Sequence, residues 1–420
     1  MHDFQYRQGE LYCEEVPLGR IAKEVGTPCY VYSHHTLMRH FRAYDSAFQS
    51  IPHILAFAMK ANSNLAIVKL MANEGSGVDI VSGGELYRAM KAGVPASKIV
   101  FAGVGKSADE IAQALKADIL MFNVESSEEL RAINDVAASM GKQARVALRI
   151  NPDIDPKTHP YISTGLKKSK FGIGADRAMQ EFRLASTLSH IDVVGVHKHI
   201  GSQLTEVTPF VEALKKVLGL VQALKDQGID IRYINIGGGL GITYSDETPP
   251  QPKDLADAIS PLVRDLKCVL IMEPGRVIVG NAGVLLTRVL YTKDGEAKRF
   301  VIVDAAMNDL IRPSLYGAYH DIRPLYERTN QTQRSLVDVV GPVCESGDFL
   351  AKDRMMPAVN AGELLVVMSA GAYGFVMASN YNSRPRVPEV LVKGGEVHVI
   401  RERESYDDLV RGERIPAFLS

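Results

Sequence analysis

Eight short apolar runs recur between roughly residues 34 and 275, each typically followed by a longer segment of helical period, and a chain patterned this way has few ways to fold. The runs are ILAFA at 54, VDIV at 78, KIVFA at 98, DILMF at 118, ARVALRI at 144, VVGVHK at 193, RYINI at 232 and CVLIM at 268. Between them lie segments such as SSEELRAINDVAASM from Ser126, in which Leu130, Ile133 and Val136 share one helical face. Eight such units over about 240 residues match a (β/α)8 barrel, the TIM barrel, in both number and length. A doubly wound open sheet is the other arrangement this pattern permits.

The pattern changes after about residue 276. VIVGNAGVLLTRVLY, RFVIVDA, SLVDVV, GELLVVM and EVLVKGGEVHVI are β-rich runs without long helices, and the last carries a Gly-Gly hairpin signal. The expected organisation is an α/β barrel over 34–275 and an antiparallel β domain over 276–420. Residues 1–33 are assigned to that β domain, with ELYCEEV as one more strand, because they precede a helical entry to the barrel at 35–49.

With 420 residues the chain is long enough for two domains. Lys plus Arg number 48 against 49 Asp plus Glu, so no overall field favours nucleic acid or an anionic membrane surface, and a small-molecule partner is expected. The four cysteines, Cys13, Cys29, Cys268 and Cys344, lie far apart and include no zinc or redox pair. MHDFQYRQGE at the start lacks a basic segment followed by an apolar run, and no stretch approaches the length of a spanning helix. A cytoplasmic protein is expected.

The chemistry-bearing residues cluster where barrel strands end. AFAMKANSN sets Lys60 just beyond the first run, at the end where barrel enzymes build active sites. Such a lysine is either an ordinary solvated or salt-bridged side chain or an amine that forms an imine with a carbonyl cofactor. After the sixth run, HKHIGSQ alternates His197 and His199 on one side of a strand and Lys198 on the other. The pair can be packed histidines, a metal site or, at His199, a ring stacked on an aromatic cofactor; the other strand ends offer no obvious further histidine for a metal. Lys198 is expected to point toward the helices, where its charge calls for a nearby carboxylate.

Three glycines, 237 to 239, follow the seventh run and can bring backbone amides to an anion, at a frequent phosphate position of barrels. They are not a dinucleotide fingerprint and can also be a tight turn. MEPGR after the eighth run supplies Glu273 and Arg276, which can pair with each other; alternatively Glu273 can hold a proton on a pyridine nitrogen. Further on, IRPSLYGAYH supplies Arg312 and Tyr316, GPVCESGDFLA supplies Cys344, Glu345, Ser346 and Asp348, and SAGAYGF supplies Tyr373. An isolated Cys is usually buried structure, but Cys344 stands in a polar stretch that is poor core material.

Taken together and in this order, these segments resemble the diaminopimelate decarboxylase family, within the alanine-racemase-like (fold type III) class of pyridoxal 5′-phosphate (PLP) enzymes. The resemblance covers essentially the whole chain and implies a PLP-binding barrel, a β domain and a homodimer with active sites shared across the interface. It implies decarboxylation of meso-2,6-diaminopimelate to L-lysine, the last step of lysine biosynthesis. Lys60 would then be the Schiff-base lysine, with His199 stacked on the ring. Gly239 and the backbone from Glu273 through Pro274 and Gly275 to Arg276 would hold the phosphate, while the Glu273 carboxylate faces the pyridine nitrogen. Arg276, Arg312, Tyr316, Glu345 and Ser346 would contact substrate, Tyr373 both cofactor and substrate, and Cys344 would be the proton donor. No metal is implied. Ornithine and arginine decarboxylases share many of these motifs but generally carry Asp after the Cys, where this chain has Glu345 followed by Ser346. A non-catalytic PLP carrier would lack the β domain.

Overall fold

The computed structural model describes residues 2–154, 170–296, 298–328 and 333–419. The chain opens with β1 (Phe4–Arg7), β2 (Glu10–Cys13), β3 (Val16–Pro17) and β4 (Cys29–Ser33). The eight apolar runs then become β5 (His53–Ala58), β6 (Gly77–Ile80), β7 (Ile99–Phe101), β8 (Met121–Val124), β9 (Ala144–Asn151), β11 (Ile191–His197), β12 (Tyr233–Asn235) and β13 (Val269–Met272), with the two-residue β10 (Ile173–Gly174) added at the end of β9. Every pairing among them is parallel, in the order β9-β11-β12-β13-β5-β6-β7-β8, and β8 pairs back to β9. The sheet is therefore closed: a (β/α)8 barrel, as expected, and not an open doubly wound sheet.

Local chemistry sets the helices between these strands. Ser82, Ser107 and Ser126 each sit at a helix N-cap, and their hydroxyls accept from the backbone N–H of Glu85, Glu110 and Glu129. Each such cap is worth about 1 kcal/mol. Gly93 and Asp118 then end two of the helices in the left-handed conformation. On the Ser127–Ser139 helix, Leu130, Ile133 and Ala137 are buried and Val136 only half so, because the covered stripe follows the 3.6-residue period.

The chain folds into two compact units, His40–Thr243 with Glu247–Ile278, and Met1–Arg39 with Tyr244–Asp246 and Val279–Ser420. The second unit holds β14 (Gly283–Asp294), β15 (Arg299–Val303), β16 (Ile322–Pro324), β17 (Arg334–Val340), β18 (Phe349–Pro357), β19 (Leu364–Val367), β20 (Glu389–Lys393) and β21 (Glu396–Arg401). The Gly-Gly signal is the turn between β20 and β21, where Lys393 faces Glu396 and Gly394 takes φ +56°.

Two features of this sheet depart from expectation. The sheet is mixed rather than antiparallel throughout, because β15 runs parallel to β17 and β4 parallel to β20. Parallel pairing needs a long crossover, and the chain between β15 and β17 supplies one, including the short helix Arg312–Tyr316. The N-terminal strand that joins the large sheet is β4, buried along its whole length, whereas ELYC forms β2 of a separate three-stranded sheet. Phe4, Leu11 and Val16 of that small sheet pack with Val31, Leu286 and Val366 of the large one, with Cys13 and Cys29 in the same cluster. Burial pushes the Cys29 thiol up to about 12, consistent with a core role. All four cysteines are free.

Candidate active site

The C-terminal ends of four neighbouring strands, β11, β12, β13 and β5, carry the barrel's predicted site residues. Lys60 lies on a single turn, Met59–Ala61, immediately after β5. The backbone N–H of Ala58 donates to the carbonyl of Pro274 at 3.0 Å, which brings the Pro274–Gly275 turn beside that lysine. Lys60 Nζ donates to Asp79 Oδ2 at 2.7 Å. Asp79 is fully buried, and its Oδ1 has no hydrogen-bond partner among the described residues. Burial lifts the Asp79 carboxyl to about 7; the charge of Glu273 adds to that, and the Lys60 ammonium opposes it.

Glu273 is just as buried but differently solvated. Its Oε1 accepts from Asn235 Nδ2 at 2.6 Å and from Asn123 Nδ2 at 3.2 Å, and its Oε2 lies 3.5 Å from His197 Nε2. Burial acts to raise this carboxyl, yet His197, Lys60 and the Asn235 amide outweigh it and hold it well below the usual carboxylate range. Glu273 is thus an ionised acceptor in a dry site. Burial also holds His199 well below its ordinary value, helped by the charges of Lys60 and Arg149, so its ring is neutral. The N–H of Gly238 reaches its Nδ1 at 3.3 Å.

The glycine loop leaves room that no other residue could. A Cβ at Gly238 would stand 2.1 Å from the Glu273 carbonyl oxygen, and one at Gly239, with φ +122°, 2.4 Å from the Gly201 carbonyl. Beside this loop the buried Arg276 donates from Nη2 and Nε to Ser202 Oγ at 3.0 and 3.3 Å. Backbone amides with no side chains over them, next to a guanidinium, make a cradle for an anion. An amine, a neutral imidazole, an anion cradle and an ionised carboxylate are the parts a phosphorylated pyridine aldehyde requires, so the residues present fit PLP.

Lys198 corrects one expectation. It does turn away from the two histidines, but it meets no carboxylate among the described residues. Its Nζ sits 5.4 Å from the centre of the Phe210 ring, is fully buried, and has no hydrogen-bond partner among the described residues. The expectation assumed a permanent charge, whereas burial lowers this amine to about 7, so that near neutral pH it readily gives up its proton instead of holding a counter-ion.

In the β unit, Arg312 and Tyr316 share the helix Arg312–Tyr316, with Arg312 buried and Tyr316 half-buried. Cys344, Glu345 and Ser346 are exposed on the loop after β17. Asp348 fastens this loop, accepting from the N–H of Val343 and of Met307, both at 2.7 Å, and Ser314 Oγ on the helix donates to the Gly347 carbonyl at 2.5 Å. Tyr373 is held at φ +55°, a conformation uncommon for a non-glycine residue. It precedes Gly374, where a Cβ would clash with the Ala370 carbonyl at 2.4 Å.

Sequence reasoning missed Asp79, Asn123, Asn235 and Ser202. Three of them carried a legible signal: each is a lone polar residue in, or at the end of, an otherwise apolar barrel strand. A strand buried on both faces tolerates such a group only where something satisfies it.

Comparison with known proteins agrees with this geometry. Residues 34–280 match the family described as pyridoxal-dependent decarboxylase, pyridoxal binding domain. The chain is 52% identical to the diaminopimelate decarboxylase of Aquifex aeolicus over 407 residues, covering 97% of this chain and 96% of that one. It is 52% identical to that of Pseudomonas aeruginosa over 99% of both. Among solved structures, it resembles diaminopimelate decarboxylase from Helicobacter pylori complexed with L-lysine, with TM-score 0.90, 46% identity and 94% and 98% of the two chains covered. It also resembles the M. jannaschii enzyme in co-complex with L-lysine, with TM-score 0.94, 42% identity and both chains covered in full. A viral arginine decarboxylase, 21% identical with TM-score 0.79, shares the fold. The chain belongs to the pyridoxal-dependent decarboxylases and, within them, to the diaminopimelate decarboxylases.

Proposed function

We propose that this chain removes CO2 from meso-2,6-diaminopimelate and releases L-lysine, the closing step of lysine biosynthesis, and that it does so in the cytoplasm with PLP. The observation that carries the reading is identity of about 50% to diaminopimelate decarboxylases along the whole chain, joined to a barrel rim equipped for a pyridine aldehyde phosphate. When bound, PLP supplies an electron sink for the pair left on carbon as the bond to the departing carboxylate breaks.

The chain's own residues do the rest. Lys60 would hold the cofactor covalently and yield its place to the substrate amine. Gly239, Pro274, Gly275 and Arg276 would receive the phosphate, and His199 would lie on the ring. The ionised Glu273 would keep a proton on the pyridine nitrogen, which is what its low pKa suits it to do. Arg276, Arg312, Tyr316, Glu345, Ser346 and Tyr373 would bind the substrate. Cys344 Sγ–H would deliver the proton that replaces CO2. The working form would be a homodimer in which the Cys344 to Asp348 segment serves the active site of the second copy.

The test is CO2 release and product identification from meso-diaminopimelate, ornithine, arginine and lysine, with Lys60→Ala as control. Release from diaminopimelate alone, giving L-lysine, with the control inactive, is the expected result. Release from ornithine or arginine instead would overturn the reading of Glu345 and Ser346.

A further inference from the structure

Arg312 is held by a histidine in an arrangement whose chemistry can be read from the partners alone. His320, fully buried, has Nδ1 at 2.9 Å from the Met368 carbonyl oxygen and Nε2 at 2.9 Å from Arg312 Nη1. A carbonyl only accepts and a guanidinium only donates, so Nδ1 carries the proton and Nε2 presents its lone pair to Arg312. The ring is therefore a neutral acceptor in a single tautomer.

Its surroundings fix it there. The Tyr244 ring meets His320 edge-on at 5.4 Å and 83° and also lies 4.8 Å from Arg312 Cζ, covering both partners. Arg354 Nη1 donates to the His320 backbone carbonyl at 2.8 Å. A carboxylate in the place of this imidazole would orient Arg312 equally well, but it would neutralise the guanidinium and compete with an incoming carboxylate. A neutral acceptor directs one N–H without itself cancelling the positive charge.

We propose that His320 is the positioning residue for substrate carboxylate binding, aiming the Arg312 guanidinium through its unprotonated Nε2, an acceptor that brings no negative charge of its own. The inference rests on the reading of Arg312 as a substrate contact. A loss of this acceptor falls on binding rather than on bond breaking.

Two substitutions divide the ring's two hydrogen bonds. His320→Gln extends an amide oxygen to about the position of Nε2 and can still accept from Arg312. His320→Asn keeps a donor near Nδ1 but is too short to reach the guanidinium. With the holoenzyme and meso-diaminopimelate, the expected result is a KM raised about tenfold in His320→Asn, the size of one net hydrogen bond to a charged group, with kcat within about twofold and His320→Gln close to the native KM. Equal KM values in the two variants, whatever their thermal stability, would overturn the proposal. Arg312→Lys separates the two readings: if it raises KM and His320→Asn does not, positioning by His320 is wrong and the Arg312 contact stands. If Arg312→Lys leaves KM unchanged, the substrate contact itself is wrong and the proposal falls with it. Should His320→Asn fail to fold, long-range nitrogen NMR of the histidine-labelled native enzyme, with His320→Gln to assign the signal, decides the matter. The expected ring is neutral with a bare Nε2, and a protonated Nε2 refutes the mechanism.

Discussion

Replacing Lys198 by methionine is expected to stabilise the protein, against the usual rule that core substitutions destabilise. Burial alone takes this amine from 10.5 to about 7, a displacement of about 3.5 units, and at 1.36 kcal/mol per unit the full penalty is about 5 kcal/mol. For a base whose folded pKa is depressed, the unfolded chain binds more protons between the two values, so stability rises as pH climbs from 7 toward 10.5 and the penalty is complete below 7. The same relation leaves about 4 kcal/mol of it at pH 7 and about 2 kcal/mol at pH 9. Methionine has similar volume and packs well on an aromatic ring, so it keeps the contact with Phe210 and removes only the charge. The chain has no tryptophan, so far-UV circular dichroism of both proteins across pH 6.5 to 9.5 is the suitable assay. The expected result is a Lys198→Met transition several degrees higher at neutral pH, with a gap that narrows by about half at pH 9. A variant less stable than the native protein at pH 7, or a gap that ignores pH, would refute the claim that Lys198 is buried without a counter-ion.

Lys106 makes the opposite case under the same substitution. It is equally buried, but its Nζ donates to the carbonyls of Gly103 and Asn123 and to Glu129 Oε1. Lys106→Met therefore strands a buried carboxylate and is expected to cost about 3 to 5 kcal/mol in the same melts. Glu273→Gln keeps the shape of the side chain but not its charge, and is expected to lower kcat roughly a hundredfold through the loss of a charged hydrogen bond of up to about 3 kcal/mol; cofactor absorbance should persist. Gly238→Ala forces a methyl against the Glu273 carbonyl and is expected to weaken PLP retention about tenfold or more, read by absorbance after dialysis, while circular dichroism stays native.

The barrel was legible because its strands are covered on both sides and so read as uninterrupted apolar runs, as with Ile99–Phe101 and Met121–Val124, whose residues are all buried. The β unit was less so. In β18 the buried residues Leu350, Ala351 and Met356 are separated by exposed and half-buried ones, leaving no apolar run to notice in FLAKDRMMP. No local signal told that β4 and β20, more than 350 residues apart, would pair in parallel. At the site, Lys60, His199, Glu273 and Arg276 stood out because they interrupt or follow strands. Their partners hid inside the strands: Asp79 reads as one acidic residue in VDIV, and nothing in that run tells that its partner is Lys60. His320 was visible only as the last residue of IRPSLYGAYH, since its role depends on Arg312 and Met368 together.

Asp79 and Glu273 are buried carboxylates within the field of one lysine, and the barrel drives them apart in protonation. Glu273 accepts hydrogen bonds from two amides and has an imidazole at its second oxygen, so its charged form is solvated by fixed protein dipoles. Asp79 has Lys60 on one oxygen, nothing among the described residues on the other, and the negative Glu273 in its field. Near neutral pH the first is locked as an anion while the second, at about 7, sits where its charge depends on whether the Lys60 amine carries its own. If Lys60 alternates between a charged amine and a neutral, covalently engaged nitrogen as proposed, a permanently charged counter-ion would be left uncompensated in one of the two states. A carboxyl poised near neutrality can take up a proton when the positive charge beside it goes, so the buried site need not carry an uncompensated ion in either state. On the proposed role of Lys60, its pairing with Asp79 would let one lysine serve both as a covalent anchor and as a free amine beside a buried carboxyl.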